Sequence, residues 1–301
     1  MTETITRAVP PIQVAGTARA ASDGRGRRGR FATGFLWIGA ILAVAVVVGV
    51  LVFYLGGGRW FIVETPSMGR TAPVGTLIID SPTTVDALRV GDIITFHPPT
   101  APASVYSHRI TAITPTGLIS TRGDINGSAD PWALRNGDVI GKVISVLPGV
   151  GWLVRATPLL LIGFVAVWFL SRYARNPTRR ASYRVVGFCV VAAAVTFFLR
   201  PFVGIVLLSE TVTSAGAHAT VVSTGLLPIQ VTAVGGTHVQ LVSGAVGQLT
   251  THSFAPDGQY QFASSLDLPF LGWVIFGVIC ALPLLWCLIV GLPPTEDEFA
   301  A

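Results

Sequence analysis

The chain has 301 residues, of which 51% are hydrophobic and only 12% charged, with a formal net charge of +5. Its mean hydropathy is +0.66. Soluble domains average about 25% charged residues, so this composition excludes an ordinary soluble domain and points to a membrane protein. Nineteen of the twenty basic residues are arginines. They gather around 24–30 and 172–184 beside apolar segments, which favours a positive-inside pattern over nucleic-acid binding.

Residues 1–34 are rich in Gly, Ala, Thr, Arg and Pro without apolar periodicity, and read as a disordered basic cytoplasmic tail. Phe35 to Leu55 is a nearly unbroken apolar run of 21 residues, long enough for about 30 Å of hydrocarbon. It exceeds a secretory signal's apolar region and is read as a retained anchor.

Residues 56–150 change character. Short β-rich runs, 76–79, 92–96, 107–113, 118–121 and 139–146, are punctuated by Gly and Pro as in an all-β domain. The run Trp60-Phe61-Ile62-Val63 is either a first strand or a patch for the lipid interface. A second span is expected at 151–171, then a basic loop at 172–184 carrying five arginines. A third span is expected at 185–208, interrupted by Arg200-Pro201. Residues 209–268 read as a second, small β domain, 269–292 as a fourth span and 293–301 as a cytoplasmic tail. The expected fold is thus a membrane protein with about four transmembrane helices and two β regions. The arginine asymmetry places both termini in the cytoplasm and both β regions outside. Cys189, Cys280 and Cys287 all lie in apolar segments and read as packing residues, not disulfides or metal ligands.

The chemistry-bearing residues are Ser67 in Glu64-Thr65-Pro66-Ser67-Met68, His108 in Ser107-His108-Arg109-Ile110, and the acids Asp124 and Asp130. A serine hydroxyl becomes a nucleophile when a base removes its proton and a third group orients that base. An ordinary histidine, mostly neutral at pH 7, suits the base; a lysine would need desolvation first. His97 is a rival base. His218, His238 and His252 sit in no metal-ligand pattern, and no phosphate-binding Gly loop or nucleotide fingerprint is present, so no cofactor is expected.

The series Thr65-Pro66-Ser67-Met68, Val90-Gly91-Asp92-Ile93-Ile94, Ser107-His108-Arg109-Ile110 and Thr121-Arg122-Gly123-Asp124 with Asp130 resembles the motif set of type I signal peptidases. The resemblance covers about Phe35 to Val150 and is to the histidine subclass of the endoplasmic reticulum, archaea and some Gram-positive bacteria. In the other bacterial subclass a lysine fills the base position; the lone lysine here, Lys142, lies far past it. The resemblance implies a serine endopeptidase with a mainly-β catalytic domain, removing signal peptides from exported proteins at the outer leaflet. It implies Ser67 as nucleophile, His108 as general base, Asp130 as the third catalytic residue and Asp124 as an essential neighbour, with the two acids interchangeable on sequence grounds. Thr65 would supply an oxyanion hydroxyl and the Ser67 N–H the other donor. Implied partners are the signal peptides of secreted preproteins, the lipid bilayer and the export machinery, with no nucleic acid. The pattern is broken at Arg70, where the family has Pro, and at Thr76, where it has Asp; Gly75 is kept.

Two other hypotheses stand beside this one. A non-catalytic membrane scaffold would use its outer β domains to bind partners. A self-processing protease of related fold would act on its own chain.

Overall fold

The computed structural model describes residues 23–213, 216–253 and 259–290. The chain divides into two compact units, Met1–Gly56 and Gly57–Ala301. The first unit contributes one helix, α1 (Asp23–Leu55). It starts well before Phe35, so residues 23–34, expected in a disordered tail, are helical. No proline interrupts 23–55, and arginine is a good helix former, so the helix extends from the apolar run into the basic stretch. The rest of the expected tail, 1–22, lies outside the described residues.

The second unit opens with a six-stranded antiparallel sheet. Its strands are β1 (Arg59–Ile62), β2 (Leu77–Ser81), β3 (Ile93–Phe96), β4 (Tyr106–Ile113), β5 (Ile119–Arg122) and β6 (Val139–Leu147), in the order β1-β2-β6-β3-β4-β5. They fall on the β-branched and aromatic runs of the sequence, the residue types that pack best on a pleated surface. Leu88, Ile94, Phe96, Ile110, Ile119 and Leu134 form the buried core, with Trp132 and Val139 against it. Trp60-Phe61-Ile62 is the edge strand β1, paired with β2; Trp60 on it is 42% exposed.

Two helices follow, α2 (Val150–Ser171) and α3 (Pro177–Leu199). They pack through small residues. A β-carbon on Gly163 would strike Val191, and one on Gly187 would lie 2.6 Å from Val167, the close approach that glycine permits between apolar helices. Phe164 and Phe188 meet with ring centroids 4.9 Å apart. α3 starts inside the expected basic loop: Pro177 suits the first helical position, and Asn176 Oδ1 accepts the Arg179 N–H at 3.4 Å. It ends at Leu199, short of the expected 208. Arg200 takes a left-handed φ of 47°, and Pro201 lacks the N–H a further turn would need.

The chain then enters β7 (Ile205–Thr213), so residues 205–208 are strand and not span. With β8 (Gly216–Ser223), β9 (Ile229–Ala233), β10 (His238–Leu241), β11 (Val246–Thr251) and β12 (Phe262–Leu266), it builds two three-stranded antiparallel sheets, β10-β9-β12 and β11-β8-β7. Val221, Ile229, Val231, Ala233, Leu241 and Leu249 fill the core of this second β domain. Helix α4 (Phe270–Val290) ends the described chain; the expected tail 293–301 lies outside it.

Among the described residues, three helical segments are long and apolar enough to cross a membrane: Trp37–Leu55, Val150–Ser171 and Arg179–Leu199, with mean hydropathies of 2.9, 2.1 and 1.9. The sequence predicts four. The fourth, in α4, shows a shorter apolar stretch, Phe270–Pro283.

Candidate active site

Ser67 sits in a one-turn 3-10 helix, Pro66–Met68, directly after an extended Thr65. Proline at the first helical position presets the turn, and the buried Met68 anchors it. The turn is held from the acid loop: the Ile125 N–H donates to Ser67 O at 3.0 Å. Gly123 makes that approach possible, because a β-carbon there would lie 2.8 Å from Ser67 O and 2.9 Å from Ser67 Cβ.

His108 comes from β4, opposite Ile94 of β3. Strand alternation turns it to the same face as Ile110, into the domain, while Arg109 faces the other way. Its imidazole is enclosed by aromatic edges, with Tyr106 and Phe96 at centroid distances of 5.8 and 6.2 Å. His108 Nε2 lies 3.0 Å from Ser67 Oγ, and His108 Nδ1 lies 2.7 Å from Asp130 Oδ2. A carboxylate can only accept, so Nδ1 carries the proton and Nε2 offers its lone pair to the Ser67 hydroxyl. The side chains of His108 and Asp130 are 4% and 6% exposed. Burial of this pair weakens competition from water for its hydrogen bond.

The two acids therefore separate. Asp130 contacts the histidine. Asp124 instead takes a two-pronged contact from Arg109, Nε to Oδ1 at 2.8 Å and Nη2 to Oδ2 at 2.7 Å, plus the Thr71 hydroxyl at 2.6 Å. The Arg109 guanidinium holds the Asp124 carboxyl below the usual carboxylate range, with partial burial opposing it and Thr71 assisting. Arg109 also donates from Nη1 to Gly91 O at 2.9 Å. It thereby joins the Gly91-Asp92 turn to the acid loop. Asp92 itself accepts from the Arg89 N–H and pairs with Lys142 at 2.8 Å.

One participant was given no role from sequence. The Thr121 hydroxyl donates to Asp130 Oδ2 at 2.6 Å, and the Asp130 N–H returns a bond to Thr121 O at 2.9 Å. Thr121 is buried in β5 opposite Ile110, so it shares the face of His108. Its presence in the Thr-Arg-Gly-Asp motif was the available signal.

Thr65 is exposed, and its hydroxyl makes no hydrogen bond to the turn it precedes. It lines the same groove as Ser67 and His108, a depression of about 690 Å³ running between Trp60–Thr65 and Ser104–His108. The rival base His97 is turned elsewhere: its Nδ1–H donates to Ser104 O at 2.9 Å. His218 Nδ1 lies 3.2 Å from the Thr250 hydroxyl. Among the described residues, no group of three or more His, Cys, Asp or Glu side chains could hold a metal ion.

No family model and no curated protein matches this chain.

Proposed function

We propose that the chain is a membrane-bound serine endopeptidase of signal peptidase I type, which removes signal peptides from exported proteins on the outer face of the cell membrane. The observation that supports it most is the continuous relay Ser67 Oγ, His108 Nε2, His108 Nδ1, Asp130 Oδ2, with contacts of 3.0 and 2.7 Å at its two joints.

Ser67 Oγ attacks the scissile carbonyl carbon as His108 Nε2 takes its proton. Asp130 keeps the imidazole in the required tautomer and stabilises the imidazolium. The oxyanion of the tetrahedral intermediate is met by the Thr65 hydroxyl and the Ser67 N–H, the donors we assign on position alone. Collapse breaks the C–N bond, and the leaving amine takes the proton from His108. Water then attacks the acyl-enzyme and gives a proton to His108. That proton returns to Ser67 as the acid product leaves.

We assign the substrate strand to the groove between the edge strand β1 and Ser104–His108, where it can pair its backbone with a sheet edge. The three apolar helices and the arginines at 25–30 and 172–184 support a membrane placement. We take α4 as a fourth span, which puts both ends of the chain in the cytoplasm and the two β domains outside. Cleavage of a reporter preprotein by membranes carrying the full chain tests this. Wild type processes it, while Ser67→Ala and His108→Ala do not, although both insert into the membrane. Processing by either variant would leave the scaffold reading in its place. Recovery of the wild-type chain as two fragments would favour self-processing.

A further inference from the structure

The turn that carries Ser67 is gripped from two sides, and one side belongs to the second β domain. Gly69, two residues after the serine, is buried with a φ of 52°. Against one side lies the Ile125 methyl of the acid loop; a β-carbon on Gly69 would strike it. Against the other lies Gly244, in the turn between β10 and β11. A β-carbon on Gly244 would sit 2.6 Å from the Gly69 carbonyl carbon and 2.9 Å from Arg70 N, while Gly69 in turn faces Gly244 O. The contact is backbone on backbone, without a side chain to give way.

Gly244 is itself held. Its N–H donates to Ser223 O at 2.8 Å, the Ser223 N–H donates to Ala245 O at 3.1 Å, and the Ala245 N–H closes the turn on Val242 O at 2.9 Å. The β10–β11 turn is thus riveted to the end of β8, in the buried part of its own domain. From the far side, the Ile125 N–H holds Ser67 O at 3.0 Å. Three loops are stacked in one layer each: accessory turn, nucleophile turn, acid loop. The nucleophile turn has no free side on which to relax along this axis.

We propose that the second β domain, residues 205–266, completes the catalytic site by positioning: Gly244 fixes the Gly69 backbone and so sets the distance from Ser67 Oγ to His108 Nε2. Gly244 touches neither substrate nor the reacting atoms and is a positioning residue. The inference rests on Ser67 being the nucleophile. It gives the second β domain a part in every turnover, whatever the preprotein.

The test uses the full-length protein in detergent or lipid and two matched variants. Gly244→Asn adds the clashing β-carbon, while Asn tolerates a left-handed backbone. Gly235→Asn places the same residue at another left-handed glycine of the same domain (φ 67°), where the β-carbon meets the Ser253 side chain and not the nucleophile turn. The readout is acylation of Ser67 by a small serine-directed phosphonate, followed as both the labelled fraction and the rate constant, alongside kcat and KM for a reporter peptide. The expected result for Gly244→Asn is a labelling rate constant and kcat lower by roughly 10- to 100-fold, with full final labelling and KM little changed, since a misplacement of about 1 Å costs that order in rate. Gly235→Asn stays at the wild-type rate. A Gly244→Asn protein that labels at the wild-type rate overturns the proposal. So does an equal loss in both variants through a reduced labelled fraction, which would mean that the domain only supports folding. Wild type left unlabelled at Ser67 would instead remove the nucleophile assignment on which the proposal rests.

Discussion

Thr121 and Asp130 are bonded to each other twice, side chain to side chain at 2.6 Å and backbone to backbone at 2.9 Å. The oxygen of Asp130 that takes the Thr121 hydroxyl is the one that faces His108. Thr121 therefore orients the carboxylate that holds His108. Replacing it by valine keeps the shape and removes the donor. A hydrogen bond to a charged group contributes on the order of 1.5–3 kcal/mol, so Thr121→Val is expected to lower kcat by roughly 10-fold or more. KM should stay near wild type, because the hydroxyl is buried against Asp130 and does not line the groove. Steady-state kinetics on a reporter peptide measures both.

The two acids of the loop should behave differently. Asp130→Asn removes the partner that fixes the histidine tautomer and is expected to abolish detectable cleavage. Asp124→Asn weakens the link to Arg109 but leaves every Ser67, His108 and Asp130 contact in place. It should retain measurable kcat and lose a few degrees of melting temperature. The sign with pH follows from the lowered Asp124 carboxyl. Its contribution to stability is present above the ordinary aspartate range and is lost as pH falls through its folded value. The melting-temperature gap between wild type and Asp124→Asn should therefore close in acid. A gap that widened there would contradict the Arg109–Asp124 assignment.

Asp80 lies in β2 opposite Val143 and is 1% exposed. Burial pushes its carboxyl up to about 6, with the Thr95 hydroxyl pulling the other way. A raised acid favours the protonated folded state, so the stability it contributes is full below about 4 and is lost as pH rises through about 6. Above that pH the buried charge costs on the order of 2–3 kcal/mol. Asp80→Asn should match wild type in acid and melt higher at neutral and basic pH. Thermal melts across that range check it; equal melting temperatures at basic pH would show that the Asp80 charge is solvated.

Much of the first β domain is legible in the sequence because its strands alternate and its turns carry Gly and Pro. The runs at 92–96, 107–113 and 139–146 fall on β3, β4 and β6 to within a residue or two at each end. Ser67 and His108 stand out through the order and spacing of the motif series and not by residue type alone, and the structure places them 3.0 Å apart. The resemblance puts Asp130 beside His108, as the structure does, but the residues themselves leave Asp124 and Asp130 interchangeable. Asp124 and Asp130 lie six positions apart in one loop, and only the fold of 123–130 shows that Arg109 takes the first and the histidine the second. Thr121 was hidden because a threonine in a strand looks like any β-branched residue. The end of α3 is not legible because hydropathy continues past Pro201 while backbone hydrogen bonding does not, and its start is not because Pro177 and Asn176 open the helix among polar arginines. The meeting of Gly69 and Gly244 had no local signature: it joins positions 175 residues apart through glycine backbones.

The most direct test of the central claim is labelling of the intact protein with a serine-directed phosphonate, the modified residue being located by mass spectrometry in wild type and in His108→Ala. The account predicts a single adduct on Ser67 in wild type and its loss in His108→Ala, because the Ser67 hydroxyl depends on His108 Nε2 at 3.0 Å to give up its proton. Wild-type protein without a Ser67 adduct, or equal labelling of both proteins, would contradict it.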